Sequence, residues 1–502
     1  MKRSIGASAP RLMGWISWAG IDAVGRLLLL SGSTIVLSRV SSPRDFGVAA
    51  LVLTIVAVLS VFVGAPFEEA LTQLPRLRSR HLSAALAASW LIGVVLFTGA
   101  VVAAAPLARL YDAAEIQFLL PAAMTSIFFS GHSDIVTAVA RRRRRFNEVA
   151  YATLAGHVIG VGLSLVIAGL GYGLWALIAQ RVLTVIARAT ILQWRIGFLI
   201  LPRLLPKQLA ELSRYASISF LTRLIDSVTY LVFNNLVQAL FGVSELGQVN
   251  MAMRLIEPIR GAIIATGHNL AFSFFARASR EPARLRQMCN HVISHSAFAV
   301  TPVFVGLAAI APVLLPVVAG PGWHGAVVVT VWLSIAAAIS APSGLIFTAL
   351  SANGRPELNF LSFLASFAAT VAVLVGAAAL GPISVGLSRV AGDGVRAALA
   401  IGISTTGLEW TRRARLAALH PAWRLSAIMG LIVATLDAWL PGGPSLARLA
   451  ILIGAGIVVY PLLIAAFARP AFEVIAAPLL RARGALRQRA SASPIQSPRG
   501  RA

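Results

Sequence analysis

Arg254, Glu257 and Arg260 follow one another at three-residue steps inside an otherwise apolar stretch. On a helix that spacing gives one carboxylate a guanidinium one turn away on either side. One acid cannot neutralise two bases, and the surplus positive charge is chemistry for holding an anion. Spacing alone does not say which arginine is the spare one. Pro258 lies between them and lacks an amide hydrogen, so the carbonyl of Arg254 loses its helical partner and a kink is expected. Upstream, Ser219, Arg223, Asp226, Tyr230, Asn234 and Gln238 recur every three or four residues and so share one stripe of a helix. A polar stripe running through an apolar helix should face water or a polar ligand rather than lipid. Asp22 and Arg26 place a further acid and base in an apolar stretch near the N-terminus. The plainer reading of Asp22–Arg26 and Arg223–Asp226 is a local ion pair that only holds helices together, since both spacings permit it.

These residues sit in a membrane-like chain. Of its 502 residues 58% are hydrophobic and 12% charged, and the mean hydropathy is +0.82. A soluble domain usually carries about 25% charged residues. A helical span needs roughly 20 apolar residues. Apolar windows place spans near 14–37, 46–66, 83–105, 117–139, 148–169, 173–194, 215–240 and 247–274. Six more follow near 291–318, 325–350, 358–379, 383–406, 425–440 and 446–467. A charge at a span centre costs about 2.5–3.5 kcal/mol on insertion scales, so the charged spans one, seven and eight are informative. Spans two, three, ten and eleven read as essentially uncharged.

The connections alternate in charge. Of 43 basic residues, 31 lie in connections and tails on the side of the N-terminus. Only Arg39, Arg44 and Arg109 lie on the other side. This positive-inside pattern predicts fourteen spans with both termini cytoplasmic, in a bacterial inner membrane. The first apolar segment is too long and too charged for a cleaved signal and reads as a retained span. Opposite the termini all connections are short, leaving no domain there to house an active site. Residues 472–502 are rich in Arg, Ser, Pro and Ala and read as a disordered cytosolic tail.

Several other chemistries are set aside. The net charge of +25 would suggest nucleic acid in a soluble protein, but Arg141 to Arg145 lie between two spans. There they serve topology and contact with anionic lipid, so no nucleic-acid partner is expected. The single cysteine, Cys289, excludes an internal disulfide. His291 and His295 have helical spacing, but Val292 stands where a zinc-protease helix needs glutamate, and no metal is expected. No phosphate-binding loop occurs, which leaves transport to be driven by an ion or substrate gradient, without a cofactor. Arg181, Arg188, Arg389 and Arg396 lie nearer helix ends and read as reaching to the membrane surface, with Asp393 a partner for Arg389 or Arg396.

An internal repeat adds to the architecture. Asp45-Phe46-Gly47 before span two matches Glu245-Leu246-Gly247 before span eight, 200 residues on. Gly173, Arg181 and Arg188 in span six match Gly381, Arg389 and Arg396 in span twelve with the same spacing. Six spans, an even number, separate the copies, so the repeat is parallel. The expected fold is an all-α membrane protein: a six-helix lobe at 1–195, a second at 210–408, and two further helices at 420–468. Two-lobed transporters of this kind bind substrate between the lobes near the midplane and work by alternating access.

With that architecture, the chain resembles the polysaccharide flippases of the multidrug/oligosaccharidyl-lipid/polysaccharide exporter superfamily. The resemblance rests on Leu37 to Gly47, on Gly173-Leu174-Trp175-Ala176-Leu177-Ile178-Ala179-Gln180, and on Phe241-Gly242 through Leu246-Gly247 with Asn250, Arg254 and Leu255. Gly320-Pro321-Gly322-Trp323 adds to it. It implies a cationic cavity lined by spans one, two, seven and eight, and a cargo of undecaprenyl-diphosphate-linked oligosaccharide. By the resemblance, Arg26, Arg223 and Arg254 would hold the diphosphate, and Asp22, Asp226 or Glu257 would couple transport to an ion. Ser219, Tyr230, Asn234 and Gln238 would then be the polar stripe of the cavity. Partners implied are the lipid-linked oligosaccharide, membrane lipids, and a polysaccharide polymerase with chain-length machinery. The alternatives are a multidrug/cation antiporter or peptidoglycan-precursor flippase of the same fold, and, from another class, a membrane polymerase, ligase or acyltransferase.

Overall fold

The computed structural model describes residues 9–197, 200–213, 218–278, 281–407 and 412–468. The tail predicted at 472–502 lies outside the described residues. The chain forms α1 (Ala9–Val40), α2 (Pro43–Gln73), α3 (Ser79–Leu110), α4 (Ile116–Met124), α5 (Ser126–Arg142), α6 (Phe146–Gly169) and α7 (Gly173–Ile196). A short α8 (Pro206–Ser213) leads into the long α9 (Ile218–Ala278). Then come α10 (Pro282–Val318), α11 (His324–Ala352), α12 (Pro356–Gly376), α13 (Ile383–Gly407), α14 (Arg412–Trp439) and α15 (Leu446–Phe467). Among the described residues the regular structure is helical throughout.

Ten of these helices are long and apolar enough to cross a membrane. The remaining predicted spans fall on α1, on the α4–α5 pair, whose members have 9 and 17 residues, and on α13, while α9 covers two predicted spans. Its turn is at Gly242, whose φ of 87° suits a residue without a β-carbon. Pro258, where a kink is expected, lies inside the helical run of the second limb, and the departure from helical φ/ψ within α9 is at Gly242.

Local rules explain how α2 starts. Ser42 caps it: its hydroxyl accepts from the Asp45 amide at 3.2 Å, and the Asp45 carboxylate accepts from the Ser42 amide at 2.8 Å, with Pro43 in the first turn. The motif read as a repeat element is therefore also a helix start. α2 runs seven residues past the predicted end at 66, and this carries Glu68 and Glu69 into the helix.

Helices α1 to α7 pack among themselves, as do α10 to α15, and α9 is the shared seam, packed most heavily on α2 and also on α1 and α11. At one end the two copies of the acid-x-Gly element meet each other. A β-carbon at Gly47 would lie 1.9 Å from the carbonyl oxygen of Val243, and one at Gly247 would lie 1.7 Å from that of Pro43. The contact is reciprocal, and each pair is related by the same 200-residue offset. Only glycine permits the two backbones to cross this closely. Phe46 packs edge-on to Trp323 at 4.8 Å beside the crossing, and large side chains such as Val102, Phe118 and Ile457 stay exposed around the outside, as lipid requires.

Candidate functional site: a cationic cavity beside the seam

Just inside the glycine crossing, α1, α2, α6, α7 and both limbs of α9 enclose a cavity of about 640 Å3. Its size is that of a site for a substantial polar ligand. Two hydrogen bonds fix its walls. Gln180 of α7 donates to the Ser33 hydroxyl of α1 at 2.7 Å, and Asn234 of α9 donates to the Thr54 hydroxyl of α2 at 2.7 Å.

Arg254 lines this cavity and is the spare cation of span eight. Its Nε donates to Asn250 at 3.0 Å, and its guanidinium lies 5.2 Å from the centre of the Phe46 ring. No carboxylate pairs with it among the described residues. Glu257 lies 3.5 Å from Arg260, so its charge is spoken for. The structure thus separates two arginines that spacing leaves equivalent. Arg26, Tyr230, Asn234 and Glu257 line the same cavity, while Asp226 lines an adjoining recess shared with Tyr230 and Arg254. Asp226 makes no close ion pair among the described residues.

Other predicted site residues lie elsewhere. Arg223 reaches across to α2 and contacts Glu68 at 3.2 Å and Glu69 at 3.8 Å. It lines neither the cavity nor the recess, and it does not pair with Asp226. Gln238 lies further along α9, away from both, and the side chains of Asp22 and Ser219 lie outside the described residues. The polar stripe of α9 therefore has two uses: its middle faces the cavity, and its first part clasps α2.

Sequence reasoning missed three groups. Arg181 does not reach for the membrane surface: it lines the cavity from α7, together with His157 from α6. Glu68 is buried at 4% exposure and is gripped by Arg141 at 2.6 Å as well as by Arg223. Asp134 of α5 packs so closely on α2 that a β-carbon at Gly64 would lie 2.0 Å from its carboxylate. A search for acids on the extended α2, or for acids in span four, could have raised Glu68 and Asp134. Arg396 donates to Asn359 at 2.9 Å, and Asp393 is buried with Oδ2 unpartnered, so the expected Asp393 ion pairs are not formed among the described residues. No group of three or more His, Cys, Asp or Glu side chains placed to hold a metal occurs among the described residues.

A second recess of about 480 Å3 differs in kind. It runs between α9, α10, α14 and α15 and is apolar, lined by Ile259, Leu307, Ile310, Met429, Leu452 and Ile457 among others. A charged cavity and an apolar groove thus flank the second limb of α9, whose Glu257 faces one and Ile259 the other.

Comparison with known proteins places this arrangement. A family model described as polysaccharide biosynthesis protein matches residues 36–328, which include α2 to α9 and every described helix of the cavity wall except the first part of α1. The chain belongs to this polysaccharide biosynthesis family. The succinoglycan biosynthesis transport protein ExoT of Rhizobium meliloti (strain 1021) is 24% identical over 369 residues, covering 72% of this chain and 74% of that protein. Among solved structures, the lipid II flippase MurJ in an inward closed conformation superposes with a TM-score of 0.76 at 13% identity, over 90% of this chain and 99% of that one. An inward-facing multidrug resistance MATE family transporter of the MOP superfamily superposes with a TM-score of 0.58 at 16% identity, over 79% and 95%. These likenesses establish the fold: an all-helical, multi-pass membrane protein of the MurJ and MATE type.

Proposed function

We propose that this chain is a flippase that moves undecaprenyl-diphosphate-linked oligosaccharide from the cytoplasmic to the outer leaflet during surface polysaccharide synthesis. The observation that carries the reading is Arg254: a guanidinium without a carboxylate, facing a cavity deep between membrane-spanning helices. Such a charge is costly in a membrane and invites an anion. The diphosphate supplies one, and charge-assisted hydrogen bonds are strong in a poorly hydrated cavity. Arg26 faces the same space. The apolar groove beside α9 suits the polyprenyl tail, so an amphipathic cargo would find both of its halves provided for. Membership of a polysaccharide biosynthesis family and similarity to a succinoglycan biosynthesis transport protein support a transport role in polysaccharide synthesis. The cargo in this reading is lipid-linked sugar, and a polysaccharide polymerase takes the next step.

In this reading the positive-inside pattern puts both termini in the cytoplasm and the Gly47–Gly247 crossing at the outer side. The lobes are 1–195 and 210–408, with 420–468 appended, and they alternate access around the seam. Asp226 is the favoured coupling acid, because Glu257 is already paired; Asp22 remains a candidate. A drug antiporter for cations would need an unpaired acid in the main cavity, whereas its lining acid Glu257 is neutralised by Arg260.

The test is a strain lacking this protein. Loss of surface polysaccharide, with diphosphate-linked oligosaccharide stranded on the cytoplasmic leaflet, supports the flippase. Intermediates that still reach the outer leaflet would sink it. Restoring the gene with Arg254→Ala should leave the defect in place, and this variant keeps the Glu257–Arg260 pair intact.

A further inference from the structure

The repeat relates four arginines, and three of them are engaged by neighbouring side chains. Arg188 donates to the Thr137 hydroxyl at 3.2 Å, and Arg396 donates to Asn359 at 2.9 Å while lying over the Phe347 and Phe363 rings. Arg389 lies 5.6 Å from the centre of the Phe233 ring. Arg181, the repeat partner of Arg389, has no such engagement among the described residues. It lies eight residues into α7, about 12 Å along the helix axis, and is exposed to the cavity that it lines. A guanidinium at that depth without a hydrogen bond or ion pair is expensive unless something enters to meet it.

The neighbouring groups point the same way. His157 of α6 lines the cavity beside Arg181, and its Nδ1 is buried without a hydrogen-bond partner. Arg26 from α1 faces the same space. Among the described lining residues no acid comes from α1, α2, α6 or α7, and the carboxylate of Glu257, from α9, is held by Arg260. Arg181 and His157 thus line the cavity from α7 and α6, and Arg254 lines it from α9.

We propose that Arg181 and His157 form one jaw, and Arg254 the other, of a clamp that grips a diphosphate across the cavity. Each jaw takes one phosphoryl group: a fork of guanidinium donors with an imidazole N–H on one side, and a guanidinium on the other. Because one jaw comes from α6 and α7 and the other from α9, a diphosphate engages both at once and a monophosphate only one. Cargo with two phosphoryl groups would thus be selected over the same lipid with one. The inference rests on the flippase reading and assigns its headgroup specificity.

The purified full-length protein would be titrated in detergent with undecaprenyl diphosphate, undecaprenyl monophosphate and undecaprenol, with binding followed by native mass spectrometry. Wild type should bind the diphosphate about tenfold or more tightly over the monophosphate, the range expected for one charge-assisted contact. Arg181→Ala should lose that preference and bind both lipids at the monophosphate level, Arg181→Lys should recover part of it, and the thermal midpoint without ligand should not fall. If Arg181→Ala keeps the preference while Arg254→Ala loses it, the clamp is wrong and the flippase reading stands. A lower thermal midpoint with the preference intact would make Arg181 a structural residue and also overturn the clamp. If wild type does not distinguish undecaprenyl diphosphate from undecaprenol, the clamp and the flippase reading fall together.

Discussion

The two ends of the α2–α9 seam are closed by different physics. At the Gly47 end the closure is steric. Backbone meets backbone at Gly47 and Gly247, the Trp323 indole donates to the Ser38 carbonyl at 3.1 Å, and Arg39 Nε donates to the Val318 carbonyl at 2.8 Å. Gln248 stitches the next turn, donating to the Gly322 carbonyl at 3.0 Å and accepting from the Ala326 amide at 3.0 Å. At the Glu68 end the closure is ionic: Arg223 sits on Glu68 and Glu69, with Arg141 as a second cation on Glu68. A close-packed joint has discrete arrangements and ignores salt, because its contacts are lost all at once. An ionic joint between half-exposed arginines and a carboxylate exchanges partners and is screened. Glu68 stays neutralised by Arg141 when Arg223 lets go, so opening there leaves no bare buried acid. The two ends on either side of the cavity are thus closed differently, one by close packing and one by ion pairs.

The largest effect should come from forcing the steric end. Gly247→Ala puts a β-carbon into the Pro43 carbonyl, and the helices must part. Overpacking of this kind costs about 1–3 kcal/mol. A fall of several degrees in the detergent thermal midpoint, together with lost polysaccharide export, is expected. An unchanged midpoint would mean the crossing is not close-packed. Gly47→Ala should behave alike, since the contact is reciprocal.

The next effect probes the ionic end. Arg223→Ala should cost little stability, about 0–1 kcal/mol, because half-exposed ion pairs contribute little. It should nevertheless open the cavity. With Cys289→Ser as background and Tyr230→Cys as reporter, a water-soluble thiol reagent should label faster in Arg223→Ala, and higher salt should speed wild type towards the same rate. Equal, salt-independent rates would remove the contrast between the ends. Glu68→Gln should act in the same direction, since it weakens both arginine contacts.

The smallest effect is a pH dependence confined to the steric end. Arg44 meets Glu115 at 2.6 Å, and this bond, before any other cause, holds the Glu115 carboxyl below its ordinary value of 4.5. A carboxylate lowered on folding stabilises above its unfolded value, and the contribution is lost as pH falls through the folded value. Both side chains are more than a third exposed, so the loss should stay below about 1 kcal/mol. Thermal midpoints of wild type and Glu115→Gln should therefore converge on acidification below pH 4.5 and differ slightly above it. A difference that grows on acidification would contradict the sign.

The contrast between the ends also marks how far the sequence could be read. The number and order of spans follow from hydropathy and charge alternation, which are properties of single segments. The glycine crossing is foreshadowed by the acid-x-Gly repeat, because a repeated element on a two-fold arrangement tends to meet its copy. The Glu68 end was hidden. Arg223 and Glu68 are 155 residues apart, and helical spacing reports a face of one helix without naming what lies opposite. The same blindness paired Arg223 with Asp226, its neighbour along the chain. Arg181 was lost for a related reason: distance to a helix end says whether a long side chain can reach the surface, but the enclosing walls of α1, α6 and α9 decide where it goes. In span eight spacing gives a surplus charge alone, and the Glu257–Arg260 contact leaves Arg254 without an acid among the described residues.

The most direct test is translocation itself, with purified protein in liposomes and an undecaprenyl-diphosphate-linked oligosaccharide whose sugar can be cleaved from outside. Wild type should expose lipid from the inner leaflet over time, and Arg254→Ala, equally folded and equally incorporated, should not. Equal rates for the two proteins, or a wild-type rate no faster than protein-free liposomes, would contradict an anion-carrying cavity as the basis of function.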